Sequence, residues 1–302
     1  MTEEKRVIAL GFFDGVHIGH AALLRRTKER AAEKNALPSV LSFDVHPDTL
    51  VFNREVPLIN SAIGREEIIR RMFGIENVVF IHFNSRVMHM TWREFLDELV
   101  ADLQICHIVV GHDFCFGYRG EGNPERLGEY CREHGLGWDV IPPVTLDGEV
   151  VSSTRIRELI REGRIEEANR RLGHPHTLTD TVHSGYHLGR KLDAPTINMF
   201  FPDGVVVPRH GVYAARVWLE NGSSYIAVTN VGVRPTVSEE NRVSVESHLL
   251  DYSGNLYGRQ ARLEFFSFLR PEQKFESFEE LSAQIRRDAE AARAYFAAHP
   301  GL

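Results

Sequence analysis

The spacing of apolar residues changes character near residue 173. Before that point, short apolar runs read as strands: Val7 to Leu10, Val40 to Phe43, Asn77 to Phe83 (NVVFIHF), His107 to Gly111 (HIVVG) and Trp138 to Ile141. Between them, Ala21 to Lys34, Arg65 to Phe73, Trp92 to Leu103 and Pro124 to His134 read as helices. Thr91 and Glu94 have the spacing of a capping box ahead of the third. Strands alternating with helices predict a parallel sheet covered on both faces, with ligands beyond the strand C-termini.

Gly173 to His176 (GHPH) marks a break. Beyond it lie Thr177 to Val182, Thr196 to Phe201, Gly211 to Leu219, Ser224 to Val231, Arg242 to Leu250 and Gln260 to Phe268, β-rich runs separated by turn residues. Asn221-Gly222 is a hairpin signal, and strands without intervening helices predict a small antiparallel barrel or sandwich. Ser277 and Glu280 suggest another capping box, followed by Phe278, Leu281, Ile285, Ala289, Ala292 and Phe296 at helical spacing. That stripe predicts a helix docked on the barrel. The chain therefore divides at 1–172 and 173–302.

Composition narrows the class. At 302 residues, with 43% hydrophobic and 25% charged residues, the chain reads as an ordinary globular protein of two domains. A net charge of −7 argues against broad binding to nucleic acid or an anionic membrane, while leaving nucleotides open. Cys106, Cys115 and Cys131 lack CxxC spacing and read as reduced thiols. MTEEKRVIAL lacks the apolar core of a signal peptide, and no apolar run approaches membrane-spanning length. A cytoplasmic enzyme of small-molecule substrates is expected. The pairs His174/His176 and His183/His187 lack the spacing of a metal site.

The richest stretch is Gly11 to His20, GFFDGVHIGH, between the first strand and first helix. Its end, His17-Ile18-Gly19-His20, spells the HIGH signature of a nucleotidyltransferase superfamily. A helix start attracts phosphate, two imidazoles one turn apart can donate to one polyphosphate, and Gly19 leaves room for a nucleobase. The plainer alternative is a helix-capping histidine pair. Val151 to Arg157 (VSSTRIR) places Ser153 and Thr154 ahead of a basic helix carrying Arg157, a set that suits a triphosphate or merely caps the helix. Gly111 to Gly117 (GHDFCFG) follows a predicted parallel strand, where Asp113 can take ribose hydroxyls or base amines; alternatively it is a loop with two core phenylalanines.

GFFDGVHIGH, FDVHP (Phe43 to Pro47), GHDFCFG and VSSTRIR, in this order, resemble the adenylyltransferase half of the bifunctional riboflavin kinase/FMN adenylyltransferases, the prokaryotic FAD synthetases. The resemblance implies transfer of AMP from ATP to the phosphate of FMN, giving FAD and pyrophosphate. It implies that Gly11, Phe12, Asp14, Gly15, His17, Gly19, His20, Ser153, Thr154 and Arg157 form the ATP site, with His17, His20 and Arg157 catalytic. His46, Pro47, Asp113 and Phe116 would meet FMN. The fold implied is a Rossmann-like HIGH-type α/β domain.

In the second half, Pro195 to Asn198 (PTIN) offers Thr196 and Asn198 oxygens suited to Mg²⁺, although such a string is commonly a turn or strand start. Gly189-Arg190-Lys191 is not a P-loop, because Leu192 stands where Ser or Thr belongs. Alternation in RVSVESHLL puts Val243 and Val245 on one face and Ser244, Glu246 and His248 on the other, so that Glu246 is a solvent-facing carboxylate or a general base. GRKLDAPTIN, HGVYA, NVGVRPT, VESHLLDYSGNLYG and LRPEQKFESFEEL resemble the flavokinase domain of the same family, a six-stranded barrel with a C-terminal helix. The resemblance implies ATP binding at Gly189, Lys191, Pro195, Thr196 and Asn198, Mg²⁺ at Thr196 and Asn198, and Glu246 as base toward the riboflavin 5′-hydroxyl. Homo-oligomers also occur in this family. Asp180 and Asp193 stand where many members carry Gly, and a carboxylate there would repel triphosphate unless Mg²⁺ lies between. The alternatives are a monofunctional FMN adenylyltransferase, a non-catalytic flavin-binding regulator and another HIGH enzyme.

Overall fold

The computed structural model describes residues 4–183, 196–233 and 243–301. The chain forms two compact units, residues 1–153 and 154–302.

The first unit runs β1 (Arg6–Leu10), α1 (Ile18–Lys34), β2 (Leu37–Phe43), α2 (Pro47–Val51), α3 (Ala62–Phe73), β3 (Asn77–Ile81), α4 (Ser85–His89), α5 (Trp92–Leu103), β4 (Ile105–Gly111), α6 (Pro124–Glu133) and β5 (Gly137–Ile141), then a hairpin of β6 (Thr145–Leu146) and β7 (Glu149–Val150). The main sheet is parallel, in the order β3-β2-β1-β4-β5. Alternate residues of β1 feed opposite cores. Val7 and Ala9 pack with Leu24 of α1 and Ile68, Ile69 and Phe73 of α3. Ile8 and Leu10 pack with Phe95, Leu96 and Leu99 of α5 and Leu127, Tyr130 and Cys131 of α6. Strand order reverses between β1 and β4, so the crevice beyond their C-terminal ends, after Leu10 and Gly111, is where this architecture holds ligands.

Several boundaries differ from the sequence expectation. Helix α1 starts at Ile18 rather than Ala21, because His17 caps it and draws the rest of the HIGH stretch into its first turn. Strand β3 ends at Ile81, two residues early, where the Asp44 carboxylate accepts the Phe83 N–H at 3.2 Å and turns the chain. Helices α2 and α4 have five residues each, too short for apolar periodicity to register.

The second unit begins within α7 (Ser153–Glu162), which Ser153 of the first unit opens, and continues with α8 (Ile165–Leu172). Strands β8 (His176–Thr181), β9 (Thr196–Phe200), β10 (Gly211–Leu219), β11 (Ser224–Val233), β12 (Val243–Leu249) and β13 (Gln260–Arg270) precede α9 (Phe278–Ala298). All pairings are antiparallel, in the order β8-β13-β10-β11-β12-β9. The two ends of the sheet, β8 and β9, meet through a bridge between His183 and Asn198. The Asp180 carboxylate also accepts the Phe200 N–H at 2.9 Å and the Thr181 N–H at 2.8 Å. Tyr213, Val217, Ala227, Val231, Val245, Leu263 and Phe265 are fully buried.

Helix α9 packs Ala292 and Phe296 against Ala214 and Phe266, with Ile226, Val228 and Leu269 around them. Phe278, assigned to its apolar stripe from sequence, is exposed. The stripe instead includes a buried Asp288, which receives Arg270 on both oxygens. Ser277 caps the helix by accepting the Glu280 N–H, but the Glu280 carboxylate accepts from Glu276 N–H, so the expected reciprocal box is displaced by one residue.

Candidate active site

The HIGH turn is strained and tightly held. Phe13, Gly15 and Val16 all have positive φ, at 57°, 80° and 43°. Only glycine adopts that region freely, and a β-branched residue such as Val16 is a marked outlier there. The turn persists because its neighbours determine it. Asp14 is buried and its Oδ1 accepts the Ile59 N–H at 2.7 Å. Its carbonyl accepts the Ser153 hydroxyl at 2.9 Å, so Ser153, already the first residue of α7, ties to the turn rather than capping its own helix.

His17 is the N-cap of α1, its Nδ1 accepting the His20 N–H at 3.3 Å. That acceptor role puts the ring proton on Nε2, which is thereby a hydrogen-bond donor. The two rings stack, 3.6 Å apart at 13°. Burial, with smaller effects from His17 and Arg65, drives the His20 pKa well below the usual imidazole value, so it is neutral at pH 7. A Cβ at Gly19 would fall 3.0 Å from the His17 ring, so the missing side chain lets that imidazole pack close to the backbone. Gly11 makes similar room for the Phe13 ring, 3.1 Å away.

Phe12 links this turn to the FDVHP motif, with its ring 4.6 Å from that of His46. His46 caps α2, accepting the Asp48 N–H at 3.1 Å. Pro47 and Phe116 line a cavity of about 600 Å³, walled also by Phe52, Phe83, Met88, Phe95 and Tyr118. The cavity joins the FDVHP and GHDFCFG loops, and Cys115 lies on its wall. Gly117, at φ 72°, lets the second loop approach: a Cβ there would fall 2.5 Å from the Trp92 backbone. Neither His46 nor Asp113 is on the wall; Asp113 is solvent-exposed, 3.8 Å from the His112 ring. In the second unit, the Arg157 guanidinium donates to Thr154 Oγ1 at 3.1 Å on the first turn of α7.

The flavokinase motifs converge by strand register. Asn198 pairs with Glu246 across β9 and β12, and Glu246 pairs with Asn230 across β12 and β11. Thr196 pairs with His248. Directly opposed residues share a face, so Thr196, Asn198, Asn230, Glu246 and His248 lie together on the outer side of the sheet. The opposite side carries Val245 and also Ser247, which bonds Thr229 at 2.8 Å inside the barrel. Hydroxyl, amide and carboxylate oxygens on one face suit Mg²⁺. Gly189, Lys191, Pro195 and Asp193 lie outside the described residues. Asp180 is described, and both its oxygens accept the backbone N–H groups given above.

Comparison with known proteins follows the same two units. The FAD synthetase family model matches residues 1–155, and the riboflavin kinase model matches residues 172–296. A bifunctional riboflavin kinase/FMN adenylyltransferase of Listeria monocytogenes is 33% identical over 98% of this chain and 94% of its own. The chain belongs to this family. The Pseudomonas fluorescens bifunctional enzyme is 36% identical over 95% of this chain and 92% of its own length. A Streptococcus pneumoniae crystal structure, described as a macrolide-efflux protein, superposes with a TM-score of 0.84 at 28% identity over 97% of this chain and 95% of that one. Among the described residues no helix is long and apolar enough to cross a membrane. The family member described here thus carries both an FAD synthetase domain and a riboflavin kinase domain.

Sequence reasoning missed one prominent residue. Arg65 is fully buried beneath the HIGH turn, donating to the Phe12 and Phe43 carbonyls and to Ser42 Oγ. Its guanidinium lies 4.3 Å from the Phe12 ring centre. Burial lowers its pKa to about 10, so it remains charged at neutral pH. Its signal was positional: Arg65 shares a helix face with Ile68 and Ile69, three and four residues on. Asn230 was also missed, since an isolated amide in a β run carries no pattern until register places it beside Glu246.

Proposed function

We propose that the first unit transfers AMP to FMN in the crevice beyond β1 and β4, and that the second phosphorylates riboflavin on the face shared by Thr196, Asn198 and Glu246. The observation that carries the first half is the aromatic cavity between FDVHP and GHDFCFG. Its volume and its Phe52, Phe83, Phe95, Phe116 and Tyr118 walls suit a planar tricyclic ring.

In the adenylyl transfer, a phosphate oxygen of FMN attacks the α-phosphorus of ATP, forming a new P–O bond as the bond to pyrophosphate breaks. FMN brings its own nucleophile, so the protein's work is alignment and stabilisation of the departing charge. His17, with Nε2–H, and His20 donate to the polyphosphate, while Gly11, Phe12, Asp14, Gly15 and Gly19 shape the turn that holds them. Ser153 fixes that turn, and Thr154 and Arg157 complete the phosphate contacts. His46 orients Phe12, and Asp113 meets a polar edge of a substrate.

In the kinase step, Glu246 takes the proton of the riboflavin 5′-hydroxyl as its oxygen attacks the γ-phosphorus, and ADP departs. Thr196 and Asn198 would hold Mg²⁺, which when bound neutralises phosphate charge. Gly189, Lys191 and Pro195 belong to the same nucleotide site. We keep 1–172 and 173–302 as the functional division, and free thiols at Cys106, Cys115 and Cys131 support a cytoplasmic setting.

Cys115 provides the test. It is exposed on the cavity wall, whereas burial raises the Cys131 thiol to about 11 and makes it inert. FMN should slow alkylation of Cys115 by about ten-fold or more at saturation, following occupancy of the cavity. Alkylation of Cys115 unaffected by FMN, in protein that still makes FAD, places the flavin elsewhere.

A further inference from the structure

Arg65 is an expensive residue to bury. Three of its donor contacts go to neutral oxygens, and its Nε–H is buried with no hydrogen-bond partner. No carboxylate among the described residues lies within ion-pair distance of it. Asp14 and Asp44 act on it only at longer range, and both are already engaged. Asp14 accepts from Ile59, while Asp44 accepts from Val45 and Phe83 and bonds the His82 ring at 2.7 Å. A buried cation held by neutral oxygens and by the Phe12 and Phe80 rings, with no carboxylate paired to it, is costly, and such costs collect where function uses them.

The side chain lies directly beneath the turn that carries His17 and His20. Arg65 grips the carbonyl of Phe12, the residue that enters the strained turn, and that of Phe43, the last residue of β2. Ser42 Oγ accepts from Arg65 at 2.8 Å and donates to the same Phe12 carbonyl at 2.8 Å, closing a small buried network. The guanidinium therefore braces the turn on which His17 and His20 hang, and its field reaches His20. Being fully buried, it cannot touch ATP itself.

We propose that Arg65 is a positioning residue for adenylyl transfer, a fixed buried charge that braces the HIGH turn and whose counter-ion is the polyphosphate of the bound nucleotide. This rests on the assignment of adenylyl transfer to the first unit. Ligand and residue then stabilise each other: polyphosphate relieves the buried charge, and the charge tightens the polyphosphate.

The test uses the full chain and its Arg65→Met and Arg65→Lys variants, with inorganic pyrophosphate as probe. Arg65→Met should raise KM for ATP in FAD formation by roughly 10- to 100-fold while changing kcat much less. It should also abolish the rise in melting temperature caused by pyrophosphate. Because a buried charge is poorly screened, the difference from wild type should persist between about 0.05 and 0.5 M salt. Arg65→Lys keeps the charge and should recover most of the pyrophosphate response. FMN formation from riboflavin should be unchanged in both variants.

A folded Arg65→Met protein with wild-type KM for ATP overturns the proposal, as does an Arg65→Lys protein whose pyrophosphate response is no better than that of Arg65→Met. If Arg65→Met does not fold, Arg65→Lys decides alone: KM within about three-fold of wild type supports the charge, and a rise beyond about ten-fold overturns it. Wild-type protein that makes no FAD from FMN and ATP would instead remove the underlying assignment.

Discussion

The two units carry their unfavourable features in opposite places. In the first, cost gathers at the site itself: left-handed Phe13 and Val16, and a buried guanidinium without a paired carboxylate. In the second, the candidate site is a regular sheet face set by register, and the costly group is in the core. There His176 is wholly buried between Phe201 and Phe265, with both ring nitrogens lacking a partner. The difference bears on which residues can be improved. Relief of strain around β1 should cost activity, whereas relief of the barrel core should not.

The largest effect should come from separating the chemistries. Glu246→Gln removes the proposed base while nearly preserving shape, and should lower kcat for FMN formation by about 10²- to 10⁴-fold, leaving FAD formation from supplied FMN intact. His20→Ala should do the reverse, stopping FAD while FMN accumulates. Chromatographic resolution of FMN and FAD after incubation with riboflavin, ATP and Mg²⁺ reads both. Loss of both activities in either folded variant would break the two-site comparison at its base.

Next in size is the core histidine. Burial, with a smaller push from His174, drives His176 from its ordinary pKa down to about 3. The native state therefore refuses a proton that the unfolded chain accepts below about pH 6.5. Its contribution favours folding fully above that pH and falls as pH drops toward 3, by about 1.4 kcal/mol per unit. His176→Phe fills the same aromatic slot without buried polar atoms. Urea denaturation should show a gain of about 1–3 kcal/mol at pH 7 and a shallower loss between pH 6.5 and 5, with both activities retained. Lower stability at pH 7, or an unchanged acid slope, would show that His176 has a partner the packing does not reveal.

That contrast also explains what could be read from sequence. Periodicity located the strands of both units because a sheet face imposes alternation and a helix imposes its own spacing, as at Trp92–Leu103 and Gly211–Leu219. It placed the HIGH and GHDFCFG segments beyond the ends of parallel strands, where such sheets hold ligands. It could not show that Asp14 binds backbone, or that Gly19 makes room for the His17 ring. Those facts depend on contacts between distant segments. Ser247 shows the same limit: alternation puts it on the face of Val243 and Val245, but only the register places Thr229 opposite its hydroxyl.

The smallest effect concerns Asp180, which stands where the family commonly has Gly. If its carboxylate faced triphosphate, Asp180→Gly would remove repulsion and lower KM for Mg²⁺-ATP in the kinase reaction. The geometry assigns it other work. Strand β9 is an edge strand carrying Thr196 and Asn198, and its Phe200 N–H is taken by Asp180 Oδ2 from β8, with His183 Nε2 3.3 Å away. Losing that bond should cost about 1 kcal/mol and loosen the strand that presents both candidate Mg²⁺ ligands. Asp180→Gly should therefore raise KM for Mg²⁺-ATP by about two- to five-fold with little change in kcat. Asp180→Asn keeps one carbonyl oxygen for one of the two N–H groups and should fall between glycine and wild type. A lower KM in the glycine variant would mean that the carboxylate opposes the nucleotide after all, and that the second unit, like the first, carries a cost at its own site.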